Sequence, residues 1–224
     1  TLTLDGVRIA CTQGNEGIRL PAGATLVLAQ DSVNLVRSCD GEDTTIPYAN
    51  AALVGEGALL LSGTGTMLAA GGSTIDTGTA SYGLFIPTGS LTVEGGDWTF
   101  LGGETGTPST HGLYLEDGNL AITAGSVTAK GGSTTIGGNS YGMLVNGNFT
   151  LSGGDAAGLG GTATWTSRGF QLSGNLIQSG GVLTGCGGTA LEAGGDSAGL
   201  YLAGSVNLNN PAVPGTQDGK LNLM

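Results

Sequence analysis

Apolar residues recur in this chain as short alternating triplets separated by glycine turns, and the triplets themselves recur about every 30 residues. The unit reads: an aromatic or small residue, Gly, apolar, any, apolar, a glycine turn, apolar, any, apolar, another glycine turn. It occurs as Tyr82-Gly83-Leu84-Phe85-Ile86 with Leu91-Thr92-Val93, and as His111-Gly112-Leu113-Tyr114-Leu115 with Leu120-Ala121-Ile122. Tyr141-Gly142-Met143-Leu144-Val145 with Phe149-Thr150-Leu151 comes next, then Arg168-Gly169-Phe170-Gln171-Leu172 and Ala198-Gly199-Leu200-Tyr201-Leu202. Alternation with a period of two marks strands, and a fixed longer period marks a solenoid. The pattern therefore predicts an all-β chain: a single right-handed parallel β-helix of about 30 residues per coil, with three short strands in each. The hand follows from the strong preference of parallel crossovers.

In the coil that begins near residue 110 the strands fall at 113–115, 120–122 and 127–129. Alternation sends Leu113 and Leu115 inward and Tyr114 outward. Stacking then predicts interior ladders: Leu53, Leu84, Leu113, Met143, Phe170, Leu200; Leu59, Leu91, Leu120, Phe149, Leu176, Val206; and Leu61, Val93, Ile122, Leu151, Gln178, Leu208, with Gln178 the one polar intruder. Toward the N-terminus the match is poorer. Leu2/Leu4 and Val7/Ile9 read as the end of an incomplete coil; Ile18/Leu20, Leu26/Leu28 and Val33/Leu35 read as the inward positions of the next. The β-helix is expected to span residues 1–210. Pro211 and Pro214 break the repeat, so 211–224 reads as a capping tail over the last coil's open edge. Residues 37–50 form a long excursion, and a connection of variable length succeeds the Gly-Gly pair in each later coil, at 73–80, 104–110, 133–140, 162–167 and 189–197. Such loops beside a rigid scaffold are where function usually sits.

Composition narrows the reading. Forty-six glycines without a triplet period exclude collagen, and the apolar share argues against disorder. No apolar run is long enough for a transmembrane helix, so no membrane insertion is expected. A net charge of −11, with six basic residues against seventeen acidic, argues against nucleic acid and anionic membranes as partners. The acidic balance, few lysines and many Ser, Thr, Gly and Asn residues suit an extracellular or cell-surface bacterial protein. Cys11, Cys39 and Cys186 are too few for a disulfide framework or a zinc site. Cys11 and Cys39 come after the third strand of successive coils, where they can pair or remain as buried thiols.

The outward row of the first strand reads Val54, Phe85, Tyr114, Leu144, Gln171, Tyr201, and the position before the glycine adds Tyr82, His111, Tyr141 and Arg168. Four of five tyrosines and the only histidine thus share one strip. Exposed rings on a flat face suit stacking on sugars. Two coils rise about 10 Å, twice the strand spacing, close to the disaccharide repeat of a β-1,4 glucan. The expected ligand-binding set is therefore Tyr82, Phe85, His111, Tyr114, Tyr141, Arg168 and Tyr201; the alternative is that a loop, the tail or a second chain covers the strip. The acidic run Asp40-Gly41-Glu42-Asp43 makes Asp40, Glu42 and Asp43 candidate calcium ligands, or else a solvated loop.

Catalytic patterns fare less well. None of Arg8, Arg19, Arg37, Lys130, Arg168 and Lys220 clusters with several acids as a lyase base would. No ladder stacks one carboxylate on another in adjacent coils as a glycosidase pair requires. His111 has no triad pattern around it, and there is no phosphate loop.

The phrases Leu2-Thr3-Leu4-Asp5-Gly6-Val7-Arg8-Ile9, Gly17-Ile18-Arg19-Leu20, Ala24-Thr25-Leu26-Val27-Leu28-Ala29 and Gly55-Glu56-Gly57-Ala58-Leu59-Leu60-Leu61-Ser62-Gly63-Thr64-Gly65 carry a resemblance. They are similar to secreted bacterial, clostridial-type carbohydrate-binding-domain proteins. The resemblance implies a right-handed β-helix shaped like the polysaccharide lyases, a cell-surface location, and calcium and plant-polysaccharide binding in some members. Calcium-binding members tend to carry Asp before the glycine of each coil, where this chain has Tyr82, His111, Tyr141, Arg168 and Ala198; that moves a sugar site to the aromatic strip. The expected function is an extracellular, non-catalytic module for polysaccharide or cell-surface glycan. The alternatives are a structural stalk or adhesin module with a protein partner, and then a polysaccharide lyase or hydrolase.

Overall fold

In the computed structural model the chain winds into a β-solenoid of about six turns, roughly 29 residues each. The structure describes residues 1–11, 16–41, 50–74 and 79–208, and the backbone of 220–223. Two large parallel sheets carry the coils. One has seven strands, from Ile18–Leu20 through Ser81–Ile86, Thr110–Leu115 and Ser140–Val145 to Asp196–Leu202, and holds the first strand of each coil. The other has fourteen strands and holds the second and third. In the two middle coils these second and third strands run on as continuous eleven-residue strands, Leu91–Leu101 and Leu120–Lys130, whose mutual register shifts after Val93 and Glu94.

All three expected ladders are realised in register, and they are interior up to the last coil, where Val206 and Leu208 are exposed. Leu53, Leu84, Leu113, Met143, Phe170 and Leu200 pair coil to coil. So do the rows from Leu59 to Val206 and from Leu61 to Leu208, with Gln178 inside as expected. Gln178 donates from Nε2 to the Gly181 carbonyl at 3.0 Å, which satisfies the nitrogen of this buried amide. Most of these side chains are fully buried, and each single truncation to Ala should remove about 2–5 kcal/mol. The third strands add a row Met67, Trp98, Val127, Ala156, Leu183. Volumes complement one another across the interior. Phe100 fills the space beside small Ala69 and Ala129, whereas Phe170 is accommodated because positions 158 and 185 are glycine; a Cβ at 158 would come within 2.8 Å of the Phe170 ring.

The phase of one early strand is the reverse of the expectation. In Val33–Arg37 it is Asn34 and Val36 that point inward, while Val33 is 71 % exposed and Leu35 partly so. Asn34 joins the Met67–Trp98 row because its amide is satisfied there: Oδ1 accepts from the Val7 amide at 2.9 Å, and Nδ2 donates to Ser32 Oγ and the Thr66 carbonyl. A fully bonded buried amide costs little, so hydrophobicity alone misplaces the strand.

Residues 220–223 pair in parallel with Val182–Cys186 and so occupy the third-strand position of the last coil. Cys11 and Cys39 form a disulfide between stacked corners, with Cα atoms 4.8 Å apart. It closes a loop of 28 residues.

Candidate functional site

The Gly-Gly corners explain the most regular part of the sequence. The first glycine of each pair leaves room for a hydroxyl, and the second for the carbonyl of the coil below. A Cβ at Gly131 would overlap Ser140 Oγ, and one at Gly132 would overlap the Gly103 carbonyl oxygen. Neither glycine is needed for positive φ, unlike Gly96, Gly125, Gly154 and Gly181 at the turn between second and third strands, which sit at +70° to +83°. The hydroxyls form a ladder that sequence reasoning missed: Ser81, Thr110, Ser140, Ser167 and Ser197. Ser140 Oγ donates to the Gly132 carbonyl at 2.8 Å and accepts from the Gly161 amide at 2.9 Å; Thr110 and Ser167 repeat the pattern in their own coils. The signal was a hydroxyl residue two positions before the repeated glycine in every later coil. A second ladder, of Asn119, Asn148 and Asn175, takes the backbone amide of the next coil at 2.9 Å at each step.

The aromatic strip exists, and the registers bring its members together. Tyr82, His111, Tyr141 and Arg168 form one row; Phe85, Tyr114, Leu144, Gln171 and Tyr201 form the adjacent one. The rings differ from the expectation in how they face. Coils repeat at about 4.8 Å, close to a stacking distance, so rings in register lie against each other along the axis instead of flat toward solvent. Tyr82 and His111 stack at 5.2 Å, His111 and Tyr141 at 5.2 Å, His111 and Tyr114 at 4.9 Å, and Tyr82 and Phe85 at 4.7 Å. Phe85 is 1 % exposed, His111 5 % and Tyr141 8 %. Tyr82 and Tyr114 are half-buried, and only Tyr201, at 45 %, stands open. The Arg168 guanidinium lies 3.8 Å over the Tyr201 ring and is spent on neighbours: Nη1 donates to Gln171 Oε1 at 2.8 Å, and Nε and Nη2 donate to Asp196 Oδ2.

Burial leaves its mark on titration. The His111 pKa is pushed down to about 3 by loss of solvent, and its Nδ1 has no hydrogen-bond partner among the described residues. Burial holds the Tyr114 hydroxyl above its ordinary value, with Glu116 adding to the rise, and burial does the same at Tyr141.

Of the candidate calcium ligands, Glu42 and Asp43 lie outside the described residues. The Asp40 carboxylate is occupied: Arg37 Nη2 donates to both its oxygens, at 2.9 and 2.7 Å, and the Ser73 amide donates to Oδ1 at 2.9 Å. Among the described residues no three His, Cys, Asp or Glu side chains gather where a metal ion could sit. Asp97 and Asp155 are separated by Ser126 in the intervening coil.

The side-chain-free corners create a feature that side-chain patterns did not foreshadow, an open axial trough of about 590 Å³. Its floor is the glycine pairs of successive coils. One wall carries Leu101 and Lys130, adjacent in register; the other carries Ser73, Glu104, Ser133, Thr162 and Thr189 from five consecutive coils. Both walls are anchored. The third strands hold the first, and a narrow fourth ladder holds the second, through Thr74, Thr105 and Thr134 and the pair Thr162–Ala163 with Thr189–Ala190. Neither Glu104 nor Lys130 is in an ion pair among the described residues. Further along the same connections, Trp165 is 54 % exposed and its benzo ring sits 3.4–4.0 Å from where a Cβ on Gly137 would be. The chain matches no protein-family model, no curated protein and no solved structure.

Proposed function

We propose that this chain is a secreted, non-catalytic β-helix module that binds a linear polysaccharide along its axial trough. The observation that carries the reading is the trough itself: open, floored by glycine backbone, and walled on one side by the hydroxyls of Ser73, Ser133, Thr162 and Thr189 with Glu104 among them, and on the other by Leu101 and Lys130, at coil steps of ~4.8 Å. A sugar chain presents the same combination, hydroxyl edges and flat CH faces. The disulfide supports an oxidising compartment, and the resemblance to secreted bacterial carbohydrate-binding β-helices points the same way. The aromatic strip takes a different part in this reading. Its rings are committed to one another, so it binds coil to coil, and only its Tyr201 end is open to a ligand.

The test is retention on insoluble cellulose, xylan, mannan and pectin by three proteins: the wild type, Ser133→Leu/Thr162→Leu and Tyr114→Ala/Tyr201→Ala. Retention lost only in the first variant supports the trough. Retention lost only in the second returns the site to the strip. A second reading, a stalk or adhesin module with a protein partner, draws on the buried aromatic stack, which stiffens the coil column without presenting a surface; absence of retention on every glycan would favour it.

A further inference from the structure

The walls of the trough bear on what kind of chain it takes. Lys130 and Glu104 give it one positive and one negative charge, and its other wall side chains are neutral. The remaining described cations cannot help: Arg19 pairs with Glu16 and Glu56, Arg37 with Asp40 and Arg168 with Asp196, and Arg8 lies near the N-terminal end beside Val33 and Leu68. A polymer with a carboxylate on every sugar would bring several negative charges against a single lysine, beside Glu104 and in the field of a chain carrying −11. The spacing also selects. Hydroxyl positions on a straight line, with two coils rising about 10 Å, stay in step with a flat, extended disaccharide repeat; a coiling α-linked chain falls out of step within a few sugars. Five coils span roughly 19 Å between the first and last, room for about four sugar residues.

Resting on the polysaccharide reading above, we infer that the trough is selective for an uncharged, extended β-1,4-linked glycan, held over about four sugars along the wall that runs from Ser73 through Glu104, Ser133 and Thr162 to Thr189, with Leu101 and Lys130 opposite. The affinity should be nearly independent of salt, because no net charge is neutralised on binding.

Calorimetric titration with three hexasaccharides at low and high NaCl separates the possibilities. They are β-1,4-mannohexaose, the β-1,4-mannuronate hexamer of the same linkage but one carboxylate per sugar, and α-1,4-maltohexaose. The expected result is binding of mannohexaose that changes less than two-fold with salt, and binding at least ten-fold weaker for the other two. Glu104→Lys, which reverses the one negative charge on the trough wall, should admit the mannuronate hexamer with an affinity that falls as salt rises. If mannuronate binds the wild type as well as mannohexaose does, the charge selectivity is overturned while the polysaccharide reading survives. Equal binding of maltohexaose overturns the spacing argument in the same way. No binding of any hexamer, by wild type or variant, overturns both the inference and the reading beneath it.

Discussion

His111 offers a sharp test of the buried strip. It is the only histidine, so stability between pH 7.5 and 5 reports on it with little interference from carboxylates, which titrate lower. Its folded-state pKa is about 3 against an ordinary 6.5. A base with a depressed folded pKa is protonated first in the unfolded chain, so its full contribution is present above 6.5 and is lost as pH falls toward 3. At pH 5 the loss is about 2 kcal/mol, and the total by pH 3 is bounded at about 5 kcal/mol. The π faces of Tyr82 and Tyr141, at 5.2 Å on either side, return about 0.5–1 kcal/mol to an imidazolium. Urea unfolding at pH 7.5 and pH 5 should therefore differ by about 1–2 kcal/mol, or a few degrees in Tm for a chain of this size. His111→Phe keeps a stacking ring, removes the orphan Nδ1 and should flatten the dependence over this interval. A wild type whose stability changes by less than about 0.5 kcal/mol, or a variant with the same slope as wild type, would show that the imidazole is solvated and the strip more open than the structure has it.

Three further perturbations address the scaffold. Reducing the Cys11–Cys39 bond, or replacing both residues by Ser, should cost about 3–4 kcal/mol for a 28-residue loop, read as a drop in urea midpoint, and wild type and the double-Ser variant should coincide under reducing conditions. Ser140→Ala removes a buried hydroxyl that both donates and accepts between coils; a loss of about 1–3 kcal/mol is expected, and Ser140→Thr should recover part of it because Thr110 fills the equivalent position. Gly132→Ala forces a methyl into the Gly103 carbonyl oxygen, and chemical denaturation should show a larger loss than Gly194→Ala causes by strain alone, since nothing crowds that open turn.

Much of the fold was legible because two periods coincide. Alternation within Leu113-Tyr114-Leu115 and the recurrence of that triplet each point to the same inward side chains, and the ladders from Leu53 to Leu200 emerge without any tertiary information. Asn34 escaped because its inward position is decided by hydrogen bonds to Val7, Ser32 and Thr66, two of which lie in other strands or turns of the coil stack. The candidate site was legible in membership but not in geometry. Sequence places Tyr82, His111 and Tyr141 in one row; it does not tell whether neighbouring rings turn their faces outward or toward each other, and the ~4.8 Å coil spacing favours the latter. The trough was legible only in one wall, whose residues Ser73, Glu104, Ser133, Thr162 and Thr189 open the variable connections after each Gly-Gly pair; its shape was not. It is made by side chains that Gly102, Gly103, Gly131 and Gly132 lack, and a reading built on side-chain chemistry passes over such positions.

The hydroxyl ladder has a bearing on how such a chain can change length. Thr110, Ser140 and Ser167 each reach down to their own Gly-Gly corner and up to the next, so each of these middle coils is both plug and socket for its neighbours. Duplicating residues 110–139 in tandem would add a turn in which each donor still meets an acceptor, lengthening the molecule by one ~4.8 Å step. A deletion of a few residues within one coil would instead leave two turns out of phase. The architecture thus behaves as a ruler graduated in whole coils, extended or shortened by recombination in units of one repeat.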